Sequence, residues 1–218
     1  MKKVIPILAS TVFILFSGIS TVSAQTDAKA QEILKGVSAK YKSYSSLEAD
    51  FTLTLDNPSE NIKDTQKGNV VLKGNKYKVE IGGQTIVSDG KNVWTYLKDA
   101  NEVQITEAST DKDAITPTNI FTVYEKGFKS KFIEEKTING KAMQIIELVP
   151  DDSKKPFFKV QLTIDKADKM IQSAKLFDRN GNHYIYTMTN IKPNTVTNES
   201  MFTFNTAKYP KIEVVDLR

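Results

Sequence analysis

Residues that could carry out catalysis are few and scattered in this chain. Its one histidine, His183, falls in a strand-like stretch beside a turn, and the chain has no cysteine. Without a cysteine or a G-x-S-x-G turn, no nucleophilic triad is supported. The acidic pairs Asp111/Asp113 and Asp151/Asp152 lie in loops with adjacent lysines, so we interpret them as solvated charges rather than metal ligands. The sequence therefore predicts that the protein is not an enzyme and needs no metal or cofactor.

A hydrolase with an unrecognised site is the alternative in the enzyme class. Paired carboxylates can perform acid–base chemistry on glycosidic bonds, but any chain with 26 acidic residues contains such pairs. Gly82-Gly83 suits a hairpin turn better than a phosphate-binding loop. Convergent polar groups with shifted pKa values in a pocket would favour the hydrolase.

The N-terminus has the order of a secretory signal. Two lysines precede a short apolar run over residues 4–16, and Val22-Ser23-Ala24 offers small residues for cleavage. The run is short for a bilayer span, and a retained N-terminal anchor is the alternative. We expect residues 1–24 to be a signal peptide and residues 25–218 to form one domain, free in solution outside the cytoplasm.

The composition argues against a nucleic-acid binder. The formal net charge is +4, and two of the positive charges fall in the signal. A domain so close to neutral lacks the basic surface that nucleic acid requires. Since no disulfide can form, stability must come from buried apolar surface and strand pairing.

Hydrophobic periodicity predicts one helix followed by a long run of strands. Thr26 or Asp27 can cap the helix, and one helical face then carries Ala30, Ile33, Leu34, Val37, Tyr41 and Tyr44. From Phe51 the period changes to two. Candidate strands cover 67–73, 76–81, 84–89, 92–97, 102–106, 130–138, 141–149, 157–165, 169–178 and 182–191, with turn residues between them. Roughly ten antiparallel strands must curl or close to bury their apolar face.

The segment 107–128 interrupts this rhythm. Thr116-Pro117 suits a helix start, and Ile120, Phe121, Tyr124 and Phe128 follow at helical spacing. We therefore expect a second helix between the two halves of the sheet.

Several strands are apolar on both faces. In 182–191 one face carries Tyr184, Tyr186 and Met188, and the other carries Ile185 and Ile191. Helices can cover one face of such a sheet. A ligand cavity or an unusually thick core would account for the other, and the pattern alone favours the core.

Four motifs occur in a recognisable order along the chain. Residues 84–96 read Q-T-I-V-S-D-G-K-N-V-W-T-Y. The others are L-E-A-D-F at 47–51, G-N-V-V-L-K at 68–73 with Tyr77, and E-S-M-F-T-F at 199–204 with the closing V-V-D at 214–216. Together they resemble the periplasmic outer-membrane lipoprotein carriers of the LolA type, in which 84–96 corresponds to the central strand–turn–strand. The resemblance covers nearly all of the chain after the signal and implies a periplasmic location.

This resemblance implies a fold, a site and partners. The expected fold is a single open antiparallel β-barrel of about ten to eleven strands, with helices covering its concave side. The expected function is to bind the acyl chains of lipoproteins in an apolar cavity and to shuttle them from the inner to the outer membrane. Partners would be the lipoproteins, an inner-membrane ABC exporter and an outer-membrane acceptor, and the carrier would be a monomer. The cavity and lid residues implied are Phe51, Leu53, Tyr77, Val79, Trp94, Tyr96, Phe121, Tyr124 and Phe128.

One departure concerns how the lid is held. The family has an Arg-Pro after the lysine that corresponds to Lys73, and its arginine is associated with a closed lid. Here Gly74-Asn75 follows instead. Either Lys73 fastens the lid, or the lid is held only loosely. The alternative function is that of a sensor, or of a carrier of another lipid or amphiphile such as a glycolipid. An apolar cavity wall does not distinguish the acyl chains of different lipids.

Overall fold

The computed structural model describes residues 27–111 and 115–218. The expected signal peptide, residues 1–24, lies outside this part of the chain. The predicted helix is present as α1 (Ala28–Lys42), and it begins at Asp27, whose carboxylate accepts the N–H of Lys29 at 2.8 Å. Its buried residues include Ala30, Leu34 and Val37.

Twelve strands form a single sheet in the described part of the chain. They are β1 (Leu47–Asn57), β2 (Ile62–Lys73), β3 (Lys76–Ile81), β4 (Gln84–Ser88), β5 (Asn92–Leu97), β6 (Glu102–Glu107), β7 (Phe128–Ile138), β8 (Lys141–Pro150), β9 (Phe157–Asp165), β10 (Met170–Asp178), β11 (His183–Pro193) and β12 (Glu213–Asp216). The spatial order is β12-β6-β5-β4-β3-β2-β1-β11-β10-β9-β8-β7, so β12 and β7 are free edges. The prediction of a mainly β, open sheet with a helix on its concave side is confirmed.

Two details of the sheet differ from the prediction. β2 begins at Ile62 rather than at 67, because a polar stretch pairs along the whole of β1 from Asn57 to Leu47. β12 was not expected as a strand that adds to the sheet, and it pairs in parallel with β6, from Glu213 opposite Glu102 to Asp216 opposite Ile105. The sheet is therefore antiparallel except at this edge.

The helix expected within 107–128 does not form. Residues 117–122 make successive turns, followed by a one-turn 3₁₀ helix at Val123–Glu125, and Phe128 is the first residue of β7. The side chain of Asn119 accepts the N–H of Thr116 at 2.8 Å, and the Thr122 hydroxyl donates to the Asn119 carbonyl at 3.2 Å. Such side-chain bonds compete with helical ones, and threonine and valine are weak helix formers.

The concave face of the sheet and α1 enclose the main core. Its strands contribute Leu47, Ala49 and Phe51 from β1, and β8 to β10 contribute buried side chains such as Ile146 and Ile164. The helix crosses this face and is tied to the edge strand β7. The Asp27 N–H donates to the Ser130 carbonyl at 3.0 Å.

A second apolar cluster lies on the convex face. Strand pairing places Thr95 on the same face as Val79, so Trp94 and Tyr96 lie on the opposite face. The segment 194–212 packs there. We use the name outer aromatic cluster for the contacting rings of Tyr96, Phe204 and Tyr209 together with the buried Phe202 of the same segment. The Tyr96 ring lies 5.4 Å from Phe204 and 4.6 Å from Tyr209. The concave face and the part of the convex face over β3 to β6 are thus both covered.

No helix in residues 27–111 and 115–218 combines the length and apolar character needed to cross a membrane.

The outer aromatic cluster gives a stability prediction. Phe202 is 1% exposed, so Phe202→Ala is expected to lower the free energy of unfolding by about 3–5 kcal/mol, since it removes a fully buried ring. Urea denaturation measures this loss. Lys208→Ala, on the exposed part of the same segment, is the control and should change the free energy little. Equal effects of the two variants would contradict a cluster that stabilises the fold.

An apolar cavity beneath a lid segment

A cavity of about 380 Å³ lies between the concave face and the segment 115–127, which we call the lid segment. Side chains from β1 to β3 and from β7 to β11 line it, together with the lid segment. The described residues that line it include no charged side chain. The cavity is therefore suited to a hydrocarbon ligand and lacks a group that would hold an ionic one.

Strand pairing explains why these side chains converge. Val70 is opposite Val79, and Phe51 is opposite Met188, so these residues share the concave face. The ring of Phe51 lies over Gly68, where a Cβ would overlap the Phe51 Cζ atom. Glycine at this position lets the ring stay against the strand instead of filling the cavity.

A small residue opens the space on the other side of the cavity. Ala174 in β10 is flanked by Tyr186 in β11 and Leu162 in β9, in one row across the concave face. All three side chains line the cavity. The volume between the two larger neighbours is open because Ala174 has only a methyl group.

The lid segment is held by α1. The ring of Phe121 stacks on Tyr41 with centroids 4.2 Å apart and planes at 7°. Behind this pair, the Ser38 hydroxyl donates to the Tyr124 hydroxyl at 3.4 Å. The C-terminal end of the helix therefore faces the lid segment, and aromatic contact provides much of the attraction.

An ion pair completes this attachment on the solvent side. The Lys42 ammonium at the end of α1 donates to both carboxylate oxygens of Glu125, at 2.7 Å for Oε2. This hydrogen bond lowers the pKa of Glu125. Burial acts on the neighbouring tyrosines in the opposite sense, and raises the pKa of both Tyr41 and Tyr124. The phenols beside the cavity are therefore neutral.

Lys73 does not fasten the lid segment. Its ammonium forms an ion pair with Glu199, which also binds Lys76 at 2.8 Å. Hydrogen bonds from the two lysines lower the pKa of Glu199 to about 2. Lys73, which is not followed by the family's Arg-Pro, thus joins the β2–β3 hairpin to the C-terminal segment. The lid segment is held by α1 instead.

Five of the nine residues predicted for the site line the cavity: Phe51, Val79, Phe121, Tyr124 and Phe128. Leu53 and Tyr77 do not line it but pack against the same core. Trp94 and Tyr96 lie on the convex face, as described above. The pairing of β3, β4 and β5 determines on which face of the sheet these two side chains lie, because that face depends on the register between neighbouring strands. A ligand-binding role for the nine residues stays a prediction.

Sequence reasoning missed most of the wall formed by β8 to β11. That wall includes Leu148, Val160, Leu162, Ala174, Leu176, Tyr186 and Met188. The alternation of Tyr184, Tyr186 and Met188 was the available signal. It identified an apolar face but not which of the two faces is concave.

The residues first considered for chemistry are not gathered at the cavity. His183 lies on the convex face, with Nδ1 3.6 Å from the Asp56 carboxylate. Asp151 and Asp152 are exposed in the β8–β9 turn, and Asp113 lies outside the described residues. Among the residues that the structure describes, no group of three or more His, Cys, Asp or Glu side chains could hold a metal ion.

An open sheet that surrounds an apolar cavity, with a lid over it, defines a fold of the lipid- and lipoprotein-binding class. The sequence assigns the chain within that class. It belongs to the outer membrane lipoprotein carrier protein LolA family, whose sequence model matches residues 42–205.

Individual relatives are distant. The chain is 26% identical to an uncharacterized protein of Methanocaldococcus jannaschii over 156 aligned residues. The alignment covers 70% of this chain and 45% of that protein. The chain thus spans about half the length of this relative.

Solved structures show the same fold at low identity. An uncharacterized conserved protein from Thermus thermophilus superposes with a TM-score of 0.57 at 17% identity, covering 86% of this chain and 99% of that one. The Mycobacterium tuberculosis lipoprotein LppX superposes with a TM-score of 0.51 at 13% identity, covering 79% of this chain and 98% of that one. At these identities the likeness is one of fold.

The Lys42–Glu125 ion pair gives a prediction about lid opening. An exposed pair contributes about 0.2–1 kcal/mol, so Glu125→Gln should speed the entry of an apolar fluorescent probe by up to about fivefold. The folded-state pKa of Glu125 is lowered, so the pair is intact above the ordinary glutamate pKa and is lost as the pH falls towards the lowered value. Probe entry into the unmodified protein should therefore accelerate in acid, whereas Glu125→Gln should show a smaller change.

Glu135→Gln is the matched control, measured by the same stopped-flow fluorescence. Glu135 pairs with Lys166 at 2.7 Å away from the lid segment, and its pKa is also lowered. Equal acceleration by both variants would mean that Lys42 and Glu125 do not hold the lid.

Proposed function

We propose that this protein is a periplasmic carrier that binds the acyl chains of lipoproteins in its cavity and shuttles them from the inner to the outer membrane. The observation that carries the proposal is the uncharged cavity beneath a lid segment that α1 holds in place. Family membership supports it, since the family is that of outer membrane lipoprotein carriers.

The energetics of acyl burial fit a lidded cavity. Burial stabilises a hydrocarbon chain by about 0.8 kcal/mol per methylene, or about 12 kcal/mol for a chain of about fifteen. A carrier must provide most of this stabilisation and still release its cargo. A cavity that its own lid residues cover when empty meets both needs, because the lid regains apolar contacts when the cargo leaves.

The size of the cavity implies that the lid segment moves. Its volume of about 380 Å³ is near the lower end of the range of about 300–1,000 Å³ for small-ligand pockets. Cargo with several acyl chains needs more room. We therefore propose that Phe121 and Tyr124 leave the space over the cavity when acyl chains enter, which breaks their contacts with Tyr41 and Ser38.

The remaining parts of the proposal follow from the same class of function. Residues 1–24 act as the signal peptide and residues 25–218 as the carrier domain, which works as a monomer. An inner-membrane ABC exporter delivers the lipoprotein, and an acceptor at the outer membrane receives it.

Native mass spectrometry of the protein, purified gently from the periplasm of its own host, tests the cargo. Lipid extraction of the same sample identifies what is bound. We expect a co-purifying triacylated lipoprotein. Free lipid or glycolipid alone would contradict the proposed cargo and favour another amphiphile on the same fold.

Filling the cavity gives a prediction for single residues. Ala174→Trp places a large ring between Tyr186 and Leu162, so binding of a triacylated lipopeptide should weaken by at least about tenfold. Ala100→Trp, in the exposed β5–β6 turn, is the matched control and should bind like the unmodified protein. Fluorescence titration measures both, with urea midpoints to confirm folding. Unchanged binding by folded Ala174→Trp would place the ligand elsewhere.

A further inference from the structure

The convex surface of β7 to β10 carries apolar and basic side chains, some exposed and some half-buried, beside the rim of the cavity. We call this surface the outer rim patch, and its members are Lys129, Lys131, Val149, Phe158, Lys159, Lys175 and Phe177. Phe158 is 43% exposed and Val149 is 41% exposed. An aromatic ring so exposed next to several lysines is a feature of surfaces that bind a partner.

The patch is ordered around the ring of Phe177. The Phe158 ring lies 6.3 Å from it. Lys159 and Lys175 place their ammonium groups 4.5 and 4.9 Å from the same ring. Aliphatic stems of lysine can lie along an apolar surface while the charged ends remain in water. The patch therefore presents an aromatic centre with cations at its margin.

The charge of the patch is strongly positive. Pairing across the sheet puts Lys129 opposite Val149 and Lys131 opposite Glu147, so these side chains share the convex face with Lys159 and Lys175. Four lysines thus accompany one glutamate. Only one ion pair forms among these five residues, between Lys159 and Glu147 at 3.5 Å.

The patch adjoins the cavity directly. Phe157 lines the cavity, whereas its neighbour Phe158 is exposed beside Phe177, because the pairing of β9 with β10 shifts register at this point. Phe128 also lines the cavity and stacks on Phe157 with centroids 6.3 Å apart. Lys129, the next residue, belongs to the patch. The rim thus has hydrocarbon-binding residues inside and a basic aromatic surface outside.

We propose that the outer rim patch binds the surface of a bilayer that contains anionic lipids. Lysines interact with the phosphate groups, and Phe158 and Val149 enter the boundary between the headgroups and the acyl chains. The lysines of the patch favour an anionic surface by charge complementarity. Its apolar centre favours a surface at which hydrocarbon is accessible. This places the rim of the cavity at the membrane. The proposal goes beyond the carriage of cargo and does not depend on it.

Vesicle co-sedimentation of the chain without residues 1–24 tests the proposal. The vesicles are phosphatidylcholine alone, or an equimolar mixture of phosphatidylcholine and phosphatidylglycerol. We expect binding to the mixed vesicles that weakens with added salt, and little binding to phosphatidylcholine. Lys129→Gln/Lys131→Gln should weaken binding by about twenty-fivefold, since each lysine near an anionic surface contributes roughly fivefold, or about 1 kcal/mol.

Two further variants separate the patch from net charge. Lys91→Gln/Lys98→Gln removes the same charge from exposed positions at the other side of the sheet, and it should bind almost like the unmodified protein. Phe158→Ala should weaken binding while its salt dependence is unchanged. Urea midpoints confirm that each variant is folded.

Three results would overturn the proposal. They are equal losses in the two double-lysine variants, equal binding to both kinds of vesicle, and no binding to either. The last result would leave an acidic protein as the partner for the patch. Lipopeptide binding by the cavity is measured separately, so failure of one proposal does not conceal failure of the other.

Discussion

The structure depends on covering the concave face of an open sheet. Twelve strands bring a large apolar surface together, but the sheet ends at β7 and β12 and cannot close over that surface. Helix α1 covers part of it with Ala30, Leu34 and Val37, which are at most 5% exposed. The lid segment covers the rest. The helix is fixed at both of its ends, to β7 through Asp27 and to β10 through Tyr41. The space that neither the helix nor the lid segment fills is the cavity.

The attachment of the lid differs in kind from the attachment of the strands. Each strand shares a ladder of backbone hydrogen bonds, whereas the lid segment is joined to α1 by one aromatic stack, one hydroxyl contact and one exposed ion pair. The exposed ion pair contributes little and is weakened by salt, and most of the stabilisation comes from burial of Phe121 and Tyr124, which are 8% and 5% exposed. None of these contacts belongs to the hydrogen-bond ladders of the sheet. The lid can therefore move without breaking the sheet. The structure thus separates a hydrogen-bonded frame from a cover that is held by side-chain contacts.

The convex face contributes stability and contacts rather than binding volume. The outer aromatic cluster packs the C-terminal segment against β3 to β6, and Glu199 joins that segment to Lys73 and Lys76. Trp94 and Tyr96 belong to this side although they follow the family's central turn. The same sheet thus has a cavity on one face and a packed layer on the other. Over β3 to β6, the two layers together explain apolar residues in both positions of the alternation.

The sequence by itself determined α1, most of the strands, the family and the absence of a visible catalytic set, whereas the helix expected within 107–128 did not form and β12 was not expected. Strand alternation, glycine and asparagine turns and the capping of α1 are local, so residues close in the chain were enough to predict them. Tertiary structure alone decided which face of each strand is concave, since this depends on register across several strands. It also decided that Tyr41 and Lys42 hold the lid segment, and that Lys73 binds Glu199. These contacts join residues far apart in the chain, and no local pattern encodes such a distance.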